Sequence, residues 1–316
     1  MWDIGGRITG GDIGNSEIRF LEGSYRLQSV GWPRSSLKCD SGWVVLRPAD
    51  GIEAADVRMM TSGSGEPGDP AGRTFIEKLR ISGMTLGIDP NWRPKASERF
   101  VIWGGGNQSL WIDGCKIEEN FVLFDDAVLT WGWGVTYSTD SEVVDCYTNP
   151  LIGRVCRNNS IDGLLQDALR AGLVANVTVR RQDRQLAPDW MSLDIHSDVW
   201  QVWNFGGVVE NNIVVGLEAT DRVHAQGIFT ADANLFRDHA FKDVRINNTY
   251  NGTRSGMHNL YWCALMKHVL VLDSEFTGGF LRDTPLSPWN PGDWVADDVV
   301  LRNVGRIDPA TSEPTG

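Results

Sequence analysis

Val208-Val-Glu-Asn-Asn-Ile-Val-Val215 is a β-branched run broken by two asparagines, and close variants of it recur along the chain. Asp243-Val-Arg-Ile-Asn-Asn248, His268-Val-Leu-Val-Leu-Asp273 and Asp298-Val-Val-Leu-Arg-Asn303 follow it, and Ala175-Asn-Val-Thr-Val-Arg180 precedes it. Ala175-Asn-Val-Thr-Val-Arg180 and Asp243-Val-Arg-Ile-Asn247 alternate apolar and polar residues, which is strand periodicity, and the others are short β-branched apolar runs of strand length. Each meets Asn or Asp at a bend, where a short side chain tolerates the left-handed conformation and bonds nearby backbone. The runs step by about 25 to 35 residues, the period of a repeat architecture whose units stack and cover one another.

Working toward the N-terminus, similar short runs appear at Glu17-Ile-Arg-Phe20, Trp43-Val-Val-Leu46, Leu79-Arg-Ile-Ser82 and Ser109-Leu-Trp-Ile112. Long helical patterns are scarce; residues 163–171 fit either a turn or two of helix or a strand. The expected fold is all-β: a single-stranded parallel β-helix, or solenoid, over residues 1–305. Residues 1–43 are expected to cap it, long loops to interrupt it, and residues 306–316 to form a flexible tail.

The 316 residues carry a net charge of −12, which disfavours a nucleic-acid partner. The same acidity disfavours an anionic membrane surface, and no apolar run is long enough for a membrane-spanning helix. A polyanionic partner would need a local Arg/Lys cluster. The opening Met1-Trp-Asp-Ile-Gly-Gly6 lacks a basic segment followed by an apolar core, so no signal peptide is read there. The five cysteines have no zinc-type spacing and sit in strand-like runs, so they are expected to be buried thiols. A Cys146–Cys156 disulfide is the one pairing left open. The Asn-x-Ser/Thr sequences at Asn158, Asn176, Asn247 and Asn251 read better as turn asparagines than as glycosylation sites.

Candidate chemistry centres on His196-Ser-Asp-Val-Trp-Gln201, where His196 and Asp198 share one strand face. Gln166-Asp-Ala-Leu-Arg170, His224-Ala-Gln-Gly-Ile-Phe229 and Met257-His-Asn-Leu-Tyr261 lie about thirty residues away in either direction. Taken as successive rungs, they align Asp167, Asp198, Gln226 and Asn259 in one column, with His196 and His224 beside it. Asp167 and Asp198, about 4.8 Å apart on adjacent rungs, suit acid–base or cation chemistry, with His196 as a base. Calcium is possible at such a pair, and no cofactor is required. Gln201, Gln226, Arg170 and His224 are candidate sugar or uronate contacts. Trp131, Trp133, Trp190 and Trp200 are candidate stacking platforms. A purely structural polar ladder explains the same column equally well.

The strand Ser109-Leu-Trp-Ile-Asp-Gly-Cys-Lys-Ile117 and the opening Ile18-Arg-Phe-Leu-Glu-Gly-Ser-Tyr-Arg-Leu27 resemble the right-handed parallel β-helix proteins of the pectin lyase-like superfamily. The His196–Gln201 and Ala225-Gln-Gly-Ile-Phe229 segments are similar to paired segments in bacterial and phage β-helix proteins. The resemblance implies a groove beside one sheet, an extended polysaccharide as partner, and an extracellular or cell-surface location. Its implied activity is that of a glycoside hydrolase or polysaccharide lyase, with a noncatalytic glycan-binding or structural module as the alternative. Neither specialised chemistry carries over. Gly114 stands where pectate lyases have His after Trp-Ile-Asp, and the Arg-x-Pro-x-x-Arg and polygalacturonase motifs are absent. The oligomeric state is not legible.

Overall fold

The structure is a computed structural model describing residues 12–27, 38–61, 73–74, 77–88, 103–104, 109–118, 136–146, 151–164, 167–182, 198–201, 208–223, 226–229, 235–247, 258–261, 265–277, 280–281 and 295–307. Among these residues there is no α-helix, and every strand pairing for which a register is defined is parallel. The chain divides into two compact units, Met1–Arg154 with Asp189–Leu193, and Val155–Pro188 with Asp194–Gly316. Each unit is a parallel β-helix, the solenoid that the repeated runs predict.

In the first unit, strands Glu17–Phe20, Val44–Pro48, Lys78–Ser82, Ser109–Asp113 and Thr136–Thr139 form one ladder. Strands Gly23–Leu27, Val57–Thr61, Thr85–Ile88, Lys116–Glu118 and Glu142–Cys146 form a second. The described part of the expected cap therefore supplies the first strand of each ladder. Because side chains alternate across a strand, a fixed register stacks like on like. Leu46, Ile81 and Ile112 stack inward in the first ladder, and Met59, Leu86, Ile117 and Val143 in the second. Burial of these columns is the main source of stability, at roughly 25 cal/mol per Å² of apolar surface. Gly87 leaves room on the second ladder's outer side. A Cβ there would lie 2.6 Å from the Arg58 guanidinium, which crosses to Glu118 at 2.8 Å.

The second unit repeats the plan over five rungs. Its ladders align residues 173–175, 213–215, 240–242, 270–272 and 300–302. Val174, Val214, Phe241 and Val271 point inward from them. A separate ladder joins Leu169–Gln182 to Asp198–Gln201, Gln226–Phe229, His258–Tyr261 and Phe280–Leu281. Residues 163–164 and 169–171 are strand, not helix.

Both units turn between ladders with two residues, the first left-handed and the second buried or nearly so. The pairs are Gly83-Met84, Gly114-Cys115 and Asp140-Ser141 in the first unit, and Asn158-Asn159, Asp243-Val244 and Asp273-Ser274 in the second. Their first residues have φ between +50° and +61°. The bend interrupts the sheet's hydrogen bonds, and a buried serine supplies the missing acceptor. Ser141 Oγ accepts from Cys115 N (3.1 Å) and donates to Thr139 O (2.9 Å). Ser274 Oγ accepts from Val244 N (3.1 Å) and donates to Leu272 O (2.7 Å). Along the same corner, Asn176 Nδ2 donates to Asn158 Oδ1 (3.2 Å), and Asn303 Nδ2 to Asp273 Oδ1 (2.9 Å). The sequon asparagines Asn158 and Asn176 are thus turn residues. Cys39, Cys115 and Cys156 are buried, and Cys156 is a thiol that forms no disulfide with Cys146.

Candidate functional site

The predicted column exists at its first three positions. Leu169 pairs with Trp200, which sets Asp167 beside Asp198, and Asp198 pairs in register with Gln226. The fourth position differs. Ile228 pairs with Leu260, so His258, rather than Asn259, follows Gln226. A one-residue slip moves a side chain to the opposite face, so Asn259 leaves the column.

The carboxylates point inward. Asp167, Asp198 and Gln201 are 2%, 0% and 4% exposed. Asp167 Oδ1 accepts from Asp198 N at 2.9 Å. Its Oδ2 accepts from Arg170 Nε at 2.9 Å and Nη2 at 2.5 Å. The amide of Gln201, oriented by its surroundings, donates from one nitrogen to Asp167 Oδ2 (3.1 Å) and Asp198 Oδ2 (3.2 Å). Gln182 Nε2 donates to the Asp198 carbonyl at 2.9 Å. A buried carboxylate needs this kind of company, and the cluster provides one cation and several N–H donors.

This placement corrects three expected sugar contacts. Arg170 faces Asp167, because a buried carboxylate binds a guanidinium three residues away more strongly than solvent does. Gln201 is buried for the same reason, as the only amide bridging two carboxylates here. Trp200 is 0% exposed, its Nε1 donates to Ala171 O (2.9 Å), and its ring meets Phe236 and Phe241 edge-on. It fills the core and has no free face for a sugar. His196, His224, Trp131, Trp133 and Trp190 lie outside the described residues, as does the side chain of Gln226. Among the described residues no three His, Cys, Asp or Glu side chains converge on a cation position.

A second buried polar column went unnoticed in the sequence. His239 Nδ1 accepts from Asn212 N (3.2 Å), and Nε2 donates to Val209 O (3.0 Å), which fixes the neutral tautomer. The ring stacks on Phe236 at 3.5 Å between centroids, and burial pushes its pKa down to about 4. The local Asp238-His-Ala-Phe241 text carries no sign of this role beyond the apolar neighbours.

The outward face of the first unit's first ladder has a different character. Register sets Val45, Arg80, Trp111 and Tyr137 in one outward column, with Arg47, Ser82, Asp113 and Thr139 in the next. Trp43, Trp111 and Tyr137 are half-buried, with ring centroids 5.8 to 6.1 Å apart. The Arg80 guanidinium lies 4.2 Å over the Trp111 ring and is ion-paired with Asp113. Asp113 Oδ1 accepts from Thr139 Oγ1 (2.5 Å), which in turn accepts from Trp111 Nε1 (2.8 Å). Burial pulls the Asp113 carboxyl upward, but the Thr139 hydroxyl and Arg80 outweigh it and hold its pKa below the usual value. A closed ring of contacts over three adjacent rungs thus fixes one indole by its face and its N–H. The polar residues Ser109 and Asp113, two positions either side of Trp111, were the one sequence signal for this face; the cross-rung company of Trp111 was not legible, since it depends on register.

No family model matches the chain, and neither a curated protein nor a solved structure is detectably similar to it.

Proposed function

We propose that the chain binds an extended polysaccharide along the outward face of the first ladder in its first unit. The observation that carries this reading is the Trp43–Trp111–Tyr137 cluster, half-buried on the outward face beside Arg80 and Asp113. Indole and phenol rings present apolar surface to sugar C–H groups, while neighbouring charged and hydroxyl groups bond sugar hydroxyls. Pre-ordering of the side chains lowers the entropy lost on binding. The resemblance to the pectin lyase-like superfamily supports the same class of ligand, by analogy of fold alone.

Cleavage of the bound polymer is the second reading, favoured by one feature: Asp167 and Asp198 share a single amide donor. Their burial weighs against it, because general acid–base catalysis needs the reacting oxygen within hydrogen-bond reach. The test is affinity electrophoresis on a panel of neutral and acidic polysaccharides, with reducing ends and unsaturated products assayed in parallel. Retardation by one polymer, weakened about tenfold or more in Trp111→Ala, is the expected outcome. No retardation by any polymer, or retardation indifferent to Trp111→Ala, contradicts the binding reading. Product formation that Asp198→Asn abolishes establishes the second.

A further inference from the structure

The second unit exposes an apolar sheet face. Register places Leu173, Ile213, Ala240, Leu270 and Val300 in one column over five consecutive rungs. Leu173, Ile213 and Val300 are 40%, 45% and 42% exposed. The next outward column runs Ala175, Val215, Lys242, Leu272 and Arg302, so eight of ten outward positions are apolar. In a solvated sheet these positions alternate as polar residues against the buried Val174, Val214, Phe241 and Val271. Five strands about 4.8 Å apart make the stripe about 19 Å tall. Contiguous apolar surface on this scale marks an interaction site.

We infer that this face is the interface between two copies of the chain, arranged with their stacking axes parallel about a two-fold. The charge pattern selects that occupant. The flanking corner on one side carries Asp238, His268 and Asp298, all left-handed and exposed, with His268 Nδ1 2.8 Å from Asp238 Oδ1. On the same rungs, four residues on, Lys242 and Arg302 stand at the other side of the stripe, exposed, with Asp243 one position further round the corner and 3.5 Å from Lys242 Nζ. A two-fold axis parallel to the stack brings the first side of one copy against the second side of the other at equal height. Asp238 then meets Lys242, and Asp298 meets Arg302, across an apolar centre. A stable interface buries about 800 Å² per partner, so the apolar stripe is its centre and these corner columns its rim. Two-fold interfaces use one patch against itself, which a periodic flat face satisfies at every rung. A chain of net charge −12 repels its own copies elsewhere, and the uncharged stripe is where that repulsion is least.

The experiment is light scattering on the size-excluded full chain at high micromolar concentration. Wild type is expected at twice the chain mass, and Ile213→Lys at the single-chain mass with its circular dichroism unchanged, since Ile213 is exposed. Lys242→Glu should weaken the dimer at least tenfold at low salt, and Asp238→Lys added to it should restore much of the loss. A single-chain mass for wild type, or an assembly indifferent to Ile213→Lys, overturns the inference. A dimer whose affinity falls with Lys242→Glu but is not recovered by Asp238→Lys overturns the parallel two-fold.

Discussion

At the scale of single residues, the described members of the expected site, Asp167, Arg170, Asp198 and Gln201, serve first to satisfy one another. Arg170 closes on Asp167 at 2.5 Å, and both are largely shielded from water. Removing one partner of such a pair strands the other, so Asp167→Asn is expected to cost about 3–5 kcal/mol in urea unfolding. Asp167→Leu combined with Arg170→Met should recover most of that loss, because an apolar pair of similar volume needs no solvation. A loss below about 1 kcal/mol in Asp167→Asn would show that the pair is solvated. His239 makes a second prediction. Its folded pKa, about 4, lies below the unfolded value of about 6.5, so the unfolded chain binds more protons between them. Stability from the neutral ring is complete above about pH 6.5 and falls as pH drops toward 4. Unfolding measured across that window should show a slope that His239→Phe removes. A variant with the parental slope would place the titration elsewhere.

At the scale of the element, the two-residue corners decide whether rungs stack. Gly216 sits in the Asn176–Asp243 corner column with φ +66°, and a Cβ there would lie 2.9 Å from Asn176 Oδ1. Gly216→Ala is therefore expected to destabilise by about 1–2 kcal/mol, with Gly216→Asn milder because asparagine tolerates the conformation. Equal losses in thermal unfolding would remove the left-handed backbone as the cause. These corners were largely readable beforehand: Asn158, Asn176, Asp243 and Asp273 all stood where a β-branched run broke. The strand Ser109–Asp113 was also readable as a strand, but nothing in Leu110-Trp-Ile112, apolar throughout, told its inward residues from its outward Trp111. Reading failed where a strand buries both faces. All four residues of Asp198–Gln201 are buried, so alternation could not tell the core residue Trp200 from an exposed platform. It failed again at Asn259, because counting about thirty residues per rung does not locate a single inserted residue in a connecting loop.

At the scale of the whole molecule, two β-helical units place their polar columns inside and their distinctive surfaces outside. The inward Asp167–Asp198 and Asn212–His239 contacts hold neighbouring rungs together. Among the described residues, the outward aromatic cluster of the first unit and the apolar stripe of the second leave surface to bind something. Fold class was legible because repetition is a property of the text. The faces proposed to bind were not, because each depends on which residues register brings together across rungs. The central claim separates these roles: outward Trp111 binds glycan, and inward Asp198 supports the scaffold. The most direct measurement is isothermal titration of the polysaccharide that wild type binds into folded Trp111→Ala and Asp198→Asn proteins. The account predicts a Kd raised about tenfold or more for Trp111→Ala and within about threefold of wild type for Asp198→Asn. Loss of binding in Asp198→Asn, with Trp111→Ala unaffected, would contradict it.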